Sequence, residues 1–451
     1  MPWYYPVLAM ASETETADPS LILAGVLLSL VVIYFASKIG GELCSRVNLP
    51  SVLGELVGGV IIGVSAFKLL VFPEGGLGAE DSLIINLLQT TANLAPGTEE
   101  VTFHTMSEVI EILSELGVII LLFEIGLESD LKELIRVGPS AAIVAVVGVV
   151  APFVLGTLGL VYLFHLPTVP AIFAGAALTA TSIGITAKVL AELGKLSSTE
   201  GQIIIGAAVL DDILGIIVLA VVASLAKTGE VQVSQIIYLV IAAGTFLIGT
   251  ILIGRLISPW LVSMVNNMKT RGNILIVGLI FAFILAYIAN VIQLEAILGA
   301  FAAGLVLAET EKRKDLEKQI IPVADVFVPI FFVCVGAKTD LSVLNPAIPS
   351  NREGLIIASF LIVVAIVGKV ITGFTLWGQD KINKLAIGVG MIPRGEVGLV
   401  FAGVGSASGA LSPATDAAII VMVIATTFIA PPLLKAVFKD DETVETETKT
   451  T

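Results

Sequence analysis

Long apolar stretches constrain this chain more than any other feature. A helix of about 20 apolar residues spans the hydrocarbon core of a bilayer. A window of that length finds thirteen candidate spans, of which those around Ala303 and Ile330 are short. Their centres lie near Leu28, Val60, Gly117, Val150, Thr179, Ile213, Phe246, Ile280, Ala303, Ile330, Val364, Phe401 and Thr426. We expect an all-α polytopic membrane protein of about 13 transmembrane helices.

The overall composition excludes an ordinary soluble domain. The 451 residues are 56% hydrophobic and only 14% charged. The net charge of -14 is carried mainly by the N-terminal segment 1–20, the loop around residue 99 and the acidic tail 439–451, and it indicates no nucleic-acid partner. Cys44 and Cys334 are far apart and belong to no metal-ligand pattern, so we expect no bound cofactor. The first residues lack a basic segment, and we expect them to be retained.

The basic residues of the loops predict an orientation. If the N-terminus is outside, the inner segments receive 18 of the 24 Lys and Arg residues and the outer segments receive four. Cytoplasmic loops carry such an excess, and one span more or fewer in mid-chain would scramble it. We therefore expect an external N-terminus and a cytoplasmic C-terminus. The membrane would be a prokaryotic inner membrane or an internal energy-transducing membrane.

This topology contains two similar units of opposite orientation. Residues 139–226 form three spans that begin inside, and residues 354–438 form three spans that begin outside. Inverted repeats of this kind place the substrate site of a transporter between them, near the middle of the membrane. Segments 21–126 and 235–341 make up the remaining spans.

The middle span of each unit contains residues that favour unwinding. The first carries Thr179, Thr181 and Ser182, and the second carries Arg394 and Glu396 beside a proline and glycines. Unwound backbone is tolerated at membrane depth only where protein or a wet cavity satisfies it, and its free carbonyls suit an ion site. The Thr and Ser hydroxyls could instead bond to the preceding turn. The Arg and Glu could neutralise each other or partners across the broken helices.

Two adjacent carboxylates, Asp211 and Asp212, interrupt the apolar run IIIGAAVLDDILGIIVLAVVA. A charge at bilayer depth costs about 2.5 kcal/mol or more, so this pair indicates binding rather than stability. Lys369 lies near the centre of another apolar run, LIVVAIVGKVITGF, where a snorkelling lysine is less expected.

Several segments together carry a resemblance to a known family. In order along the chain they are LPSVLGELVGGVIIG, ELGVIILLFEIGLESDL, AAVLDDILG, LGAFAAGLVLAE, PIFFVCVGAKTDL, the intramembrane Lys369 and IPRGEVGLV. The combination resembles the bacterial monovalent cation/proton antiporters, and most closely the electrogenic sodium/proton antiporter branch, which has an Asp-Asp pair. The resemblance covers nearly all of residues 21–438.

The resemblance implies a fold and a set of roles. The second aspartate, Asp212, would be the essential site for Na⁺ and H⁺, and Asp211 would pair with Lys369. The inverted units 139–226 and 354–438 would form a core with crossed broken helices. This core would move in an elevator-like way against a dimerisation domain, to which we assign residues 21–126 and 235–341. The protein would be a homodimer surrounded by membrane lipid.

The residues themselves suggest how exchange would work. Sodium and protons would compete for the charge of Asp212, with oxygens from the Thr179 to Ser182 region completing the sodium shell. If sodium binding frees Lys369 from Asp211, the lysine could also lose a proton, and transport would be electrogenic.

Other interpretations stay open at this stage. A potassium/proton exchanger of the Kef-like branch resembles several spans, although that branch usually has Gln-Asp and a cytoplasmic nucleotide-binding domain. A channel or ligand sensor is the alternative from another class. An enzyme is disfavoured, since the only histidines, His104 and His165, lie near predicted loop boundaries.

Overall fold

We describe a computed structural model of the chain. It describes residues 18–73, 77–92, 97–228, 230–347, 349–379 and 381–449, without the side chains of 226–228, 349–350, 396 and 439–449. Most of the predicted N-terminal segment 1–20 therefore lies outside the described residues, as do the side chains of the tail 439–451.

Every long element in the described part of the chain is an α-helix, and no strand occurs there. Short 3₁₀ turns lie at Ala79–Asp81 and Leu341–Leu344. The helices are α1 (Pro19–Arg46), α2 (Ser51–Ile62), α3 (Leu83–Thr91), α4 (Glu99–Glu128), α5 (Leu131–Leu163), α6 (Thr168–Ala177), α7 (Ile183–Glu192), α8 (Thr199–Thr228), α9 (Val233–Asn267), α10 (Asn273–Val291), α11 (Ala296–Ala308), α12 (Arg313–Ala337), α13 (Pro349–Phe374), α14 (Lys384–Gly390), α15 (Glu396–Ala407) and α16 (Pro413–Lys449).

The helices confirm the polytopic membrane fold. Eight of them are long and apolar enough to cross a bilayer, and four shorter helices are also apolar. Each predicted centre lies in a helix except Thr179, which lies between α6 and α7. The expectation of a short span around Ile330 is wrong, because α12 has 25 residues and extends beyond its apolar part into charged sequence. The chain is a multi-pass integral membrane protein.

Two units of the chain have the same order of elements. In the first, a long helix (α5) is followed by two short helices (α6 and α7) and another long helix (α8); α13 to α16 repeat this order. α5 packs against α6 and α8, just as α13 packs against α14 and α16. The units meet where α5 packs on α13 and α6 packs on α15.

The remaining membrane helices pack mainly on one another. α4 lies against α11 and α12, and α2 lies against α1 and α12. Close approach depends on glycine: a Cβ on Gly54 would come within 2.0 Å of the Gly40 carbonyl oxygen, and one on Gly304 within 2.3 Å of the Phe123 carbonyl oxygen. These small residues therefore serve helix contacts within the chain.

Candidate ion-binding site

The two interrupted helices stop where their sequences disfavour a continuous helix. α6 ends at Ala177 and α7 begins at Ile183, so residues 178–182 are not helical. Likewise α14 ends at Gly390 and α15 begins at Glu396, with Pro393 in the gap. Proline has no N–H to donate, and Ser and Thr offer the backbone alternative hydrogen bonds. Each gap leaves polar backbone groups that need partners.

Each interruption supplies partners for the other. The Ser182 N–H donates to the Pro393 carbonyl at 2.8 Å. The Thr181 hydroxyl donates to the Met391 carbonyl at 3.2 Å. The Thr186 hydroxyl, one turn into α7, donates to the Gly390 carbonyl at 2.8 Å. These bonds hold the two breaks against each other in the interior of the protein.

Arg394, in the second break, donates hydrogen bonds to backbone carbonyls in both breaks. Its fully buried guanidinium donates to the carbonyls of Met391, at 3.1 Å, and Ile392, at 2.9 Å, in its own gap. It also donates to the Leu178 carbonyl in the other gap at 2.6 Å. The Thr427 hydroxyl of α16 in turn donates to the Arg394 carbonyl. One cation thus donates hydrogen bonds to carbonyls at both breaks.

Asp211 and Lys369 form a buried ion pair between the two units. Lys369 Nζ, on α13, donates to Asp211 Oδ2, on α8, at 3.0 Å, and neither side chain is exposed to solvent. Gly148 of α5 makes room for the lysine, since a Cβ there would lie 3.2 Å from Nζ. Asp211 Oδ1 has no hydrogen-bond partner among the described residues.

Asp212 lies beside a small cavity at the meeting point of the breaks. The cavity has a volume of about 10 Å³, room for roughly one water-sized sphere. Its walls are residues 180–183, Gly395, Val397, Asp212 and Ile297. Asp212 is only 3% exposed. A carboxylate and the hydroxyls of Thr181 and Ser182 therefore border one confined space, and these hard oxygen donors suit an alkali cation.

The charges around this cavity are balanced. Asp211 interacts electrostatically with both Lys369 and Arg394, and Asp212 interacts with Lys369. If all four groups are ionised, two carboxylates face two cations and the cluster is neutral. A cation that enters such a cluster adds an uncompensated charge unless a proton leaves, because charge in a low-dielectric interior is costly.

The remaining predicted site residues have different surroundings. The Thr179 hydroxyl donates to the Ala176 carbonyl at 2.7 Å. This is a bond to the preceding turn, which the sequence analysis gave as the alternative to ion binding. The side chain of Glu396 lies outside the described residues. Sequence reasoning did not single out Thr427 or Ile297. A buried threonine and an isoleucine in apolar helices carry no signal by themselves.

Comparison with known proteins identifies the class that this fold and site define. The sequence profile of the family described as "Sodium/hydrogen exchanger, transmembrane" matches residues 21–440. The chain therefore belongs to the sodium/hydrogen exchanger family.

Similar proteins cover nearly the whole chain. It is 74% identical over 439 residues to the high-affinity Na⁺/H⁺ antiporter NhaS3 of Synechocystis sp., a match that covers 97% of this chain and 95% of that protein. It is 33% identical over 414 residues to the Na⁺/H⁺-K⁺ antiporter GerN of Bacillus cereus, covering 91% of this chain and 95% of GerN.

A solved structure shares the fold. The sodium proton antiporter MjNhaP1 from Methanocaldococcus jannaschii superposes with a TM-score of 0.60 over 92% of this chain and 96% of that chain. The two sequences are 17% identical, so this likeness concerns the fold alone.

Proposed function

We propose that the chain is a secondary active sodium/proton antiporter in which Na⁺ and H⁺ compete for Asp212. The observation that carries this proposal is the position of Asp212 in a cavity the size of a single small ligand, where two broken helices meet. The 74% identity to a protein named as a high-affinity Na⁺/H⁺ antiporter supports the same substrates.

Competition follows from the confined space and the charge balance. An ionised Asp212 attracts one dehydrated Na⁺, with oxygens of Thr181 and Ser182 as neighbours in the same cavity wall. A proton on Asp212 removes that attraction. The two ligands therefore exclude each other, which couples sodium movement in one direction to proton movement in the other.

Proton release from Lys369 makes the exchange electrogenic. Sodium at Asp212 weakens the attraction between Asp211 and Lys369, so the buried lysine releases a proton as well. More than one proton then moves per sodium ion, and transport is electrogenic. The 3.0 Å pair in the interior supports this role, because a lysine there can remain charged only with a close partner.

Alternating access requires the whole ion site to become accessible first from one side of the membrane and then from the other. The hydrogen bonds between the breaks tie units 139–226 and 354–438 together, which supports an elevator-like movement of both against residues 21–126 and 235–341. An empty, charged Asp212 is costly to carry past apolar surface. The movement therefore occurs with sodium or a proton bound, which prevents a leak.

Potassium is the second candidate substrate. The name of GerN, at 33% identity, includes K⁺ as well as Na⁺. Purified protein in liposomes separates the possibilities: proton flux is measured with Na⁺, Li⁺ or K⁺, with and without an imposed membrane potential. Sodium-driven flux that responds to the potential supports the proposal, and single-channel currents would contradict it.

The role of Asp212 is tested with a matched pair of variants. Asp212→Asn removes the charge with little change in volume and abolishes sodium-driven proton flux. Asp325→Asn, an exposed aspartate on α12, serves as the control and retains it. Flux retained by Asp212→Asn would remove Asp212 from the site.

The chain works as a homodimer in the membrane, with its N-terminus outside and its C-terminus in the cytoplasm. The exposed apolar residues along α1, among them Leu27, Val31 and Phe35, support contact with lipid or with a second copy. The mass of the purified protein in detergent tests the dimer. Labelling of single cysteines at each end with a membrane-impermeant reagent, in a variant without Cys44 and Cys334, tests the orientation.

A further inference from the structure

Ile297 is an unexpected part of the wall around Asp212. It is the second residue of α11, which belongs to neither repeated unit. Among the described residues that line this cavity, it alone comes from outside units 139–226 and 354–438. Its side chain is 7% exposed, so it fills space in the protein rather than facing lipid.

We propose that Ile297 determines cation selectivity by closing the cavity of Asp212 with an apolar wall, so that a cation must shed water to bind and a larger cation is excluded. This inference rests on the proposed function. The cavity volume of about 10 Å³ supports it, because that volume holds roughly one water-sized sphere. The branched side chain offers no oxygen that could replace lost water, so the cation must take its ligands from the opposite walls.

The wall has two chemically different sides. The side chains of Asp212, Thr181 and Ser182 carry oxygen atoms, whereas those of Ile297 and Val397 carry only carbon. A water molecule kept by the cation would have to lie against these carbons without a hydrogen-bond partner, which is unfavourable. Truncation of Ile297 enlarges the cavity on this side. The extra space admits a potassium ion or a sodium ion with part of its hydration shell.

Ile297 also belongs to the part of the molecule that the two units move against. When the units change sides, Asp212 leaves Ile297 behind, whereas Thr181 and Ser182 travel with it. The apolar wall is therefore present in one conformation of the cycle. We expect its removal to affect selectivity when the cation is presented from the side reached in this conformation.

Leu298 provides the matched control. It is the next residue of α11 and is 2% exposed, so Leu298→Ala also removes a buried aliphatic side chain from the same turn. It does not line the cavity of Asp212. Both variants lose packing, and both could lower the amount of folded protein. Only Ile297→Ala changes the space beside the carboxylate.

The experiment measures the ratio of K⁺-driven to Na⁺-driven proton flux in the same liposome preparation. A ratio cancels differences in the amount of folded protein. We expect Ile297→Ala, which removes three carbon atoms, to raise it roughly tenfold or more, since a single methylene group in an apolar pocket provides about 10- to 200-fold discrimination. Ile297→Val should give a smaller rise, and Leu298→Ala should keep the original ratio.

The outcomes separate this inference from the function on which it rests. If the unsubstituted protein shows no sodium-driven proton flux, the proposed function itself is contradicted. If the original protein exchanges sodium for protons but Ile297→Ala and Leu298→Ala give equal ratios, antiport stands and the role of Ile297 is refuted. A flux ratio that is higher for Ile297→Val than for the unsubstituted protein, and higher again for Ile297→Ala, supports the role of the apolar wall.

Discussion

Lys369 and Asp211 come from different repeated units and meet as a fully buried ion pair, with 3.0 Å between Nζ and Oδ2. Burial of two charges has a large desolvation cost, which the mutual attraction offsets only when the geometry is good. Asp212, the neighbouring residue on α8, lies on the cavity instead. Adjacent carboxylates on one helix therefore have different surroundings, one facing a lysine and the other facing a ligand-sized space.

Removal of the lysine alone should destabilise the protein. Lys369→Ala leaves Asp211 charged and buried without its partner, which we expect to cost about 3–5 kcal/mol. The thermal unfolding temperature of the protein in detergent measures this loss. The double variant Asp211→Asn with Lys369→Ala should recover part of it. A double variant that is no more stable than the single one would contradict the pairing.

Two nearby threonines should respond differently to loss of their hydroxyl groups. Thr181 lines the cavity of Asp212, whereas the Thr179 hydroxyl is bonded within its own turn. We therefore expect Thr181→Ala to raise the apparent Michaelis constant for sodium and Thr179→Ala to leave it nearly unchanged. Sodium-dependent proton flux in liposomes measures both constants. Equal effects would show that the hydroxyl of Thr181 serves packing rather than the ion.

Arg394 should be irreplaceable by lysine. Its planar guanidinium reaches carbonyls in both breaks, and a single ammonium group cannot reproduce that fork. We expect Arg394→Lys to lower the unfolding temperature and the exchange rate. Arg255→Lys is the control: this exposed arginine pairs with Glu309 at the surface, where such pairs contribute little. Similar losses for both variants would contradict the special role of Arg394.

Sodium affinity should depend on pH because protons compete for the same carboxylate. In the range where Asp212 and Lys369 are both mostly protonated, a rise of one pH unit should lower the apparent Michaelis constant for sodium about a hundredfold, as expected if one sodium ion displaces two protons; a tenfold change would indicate that Lys369 keeps its proton. At higher pH the constant should become independent of pH. A constant that stays the same throughout, with only the maximal rate changing, would indicate that protons act elsewhere.

Much of the fold could be predicted from the lengths of the apolar stretches alone. Hydrophobic stretches report membrane helices directly, since lipid leaves few alternatives for the backbone. The broken helices were also visible, because Thr, Ser, Gly and Pro at mid-membrane disfavour a continuous helix. The family resemblance predicts that Asp211 pairs with Lys369, and the two side chains lie 3.0 Å apart in the structure.

Contacts between distant elements were harder to predict. Ile297 borders the cavity because α11 packs beside the units, and the sequence of an apolar helix does not reveal which of its faces does so. The partners of Arg394 are backbone carbonyls, which leave no trace in side-chain patterns. The span around Ile330 was predicted too short because hydropathy detects only the apolar part of α12, whereas helical structure continues into the polar sequence.

The mutual bonding of the two breaks has a consequence for synthesis of the protein. Thr186 and its acceptor Gly390 are 204 residues apart, which a ribosome covers in roughly 10 to 40 s. Throughout much of that interval the newly inserted first unit carries its non-helical segment, residues 178–182, and Asp211 without Gly390, Arg394 or Lys369. We expect the nascent chain to depend on water or the insertion machinery to shelter these groups until the last spans arrive.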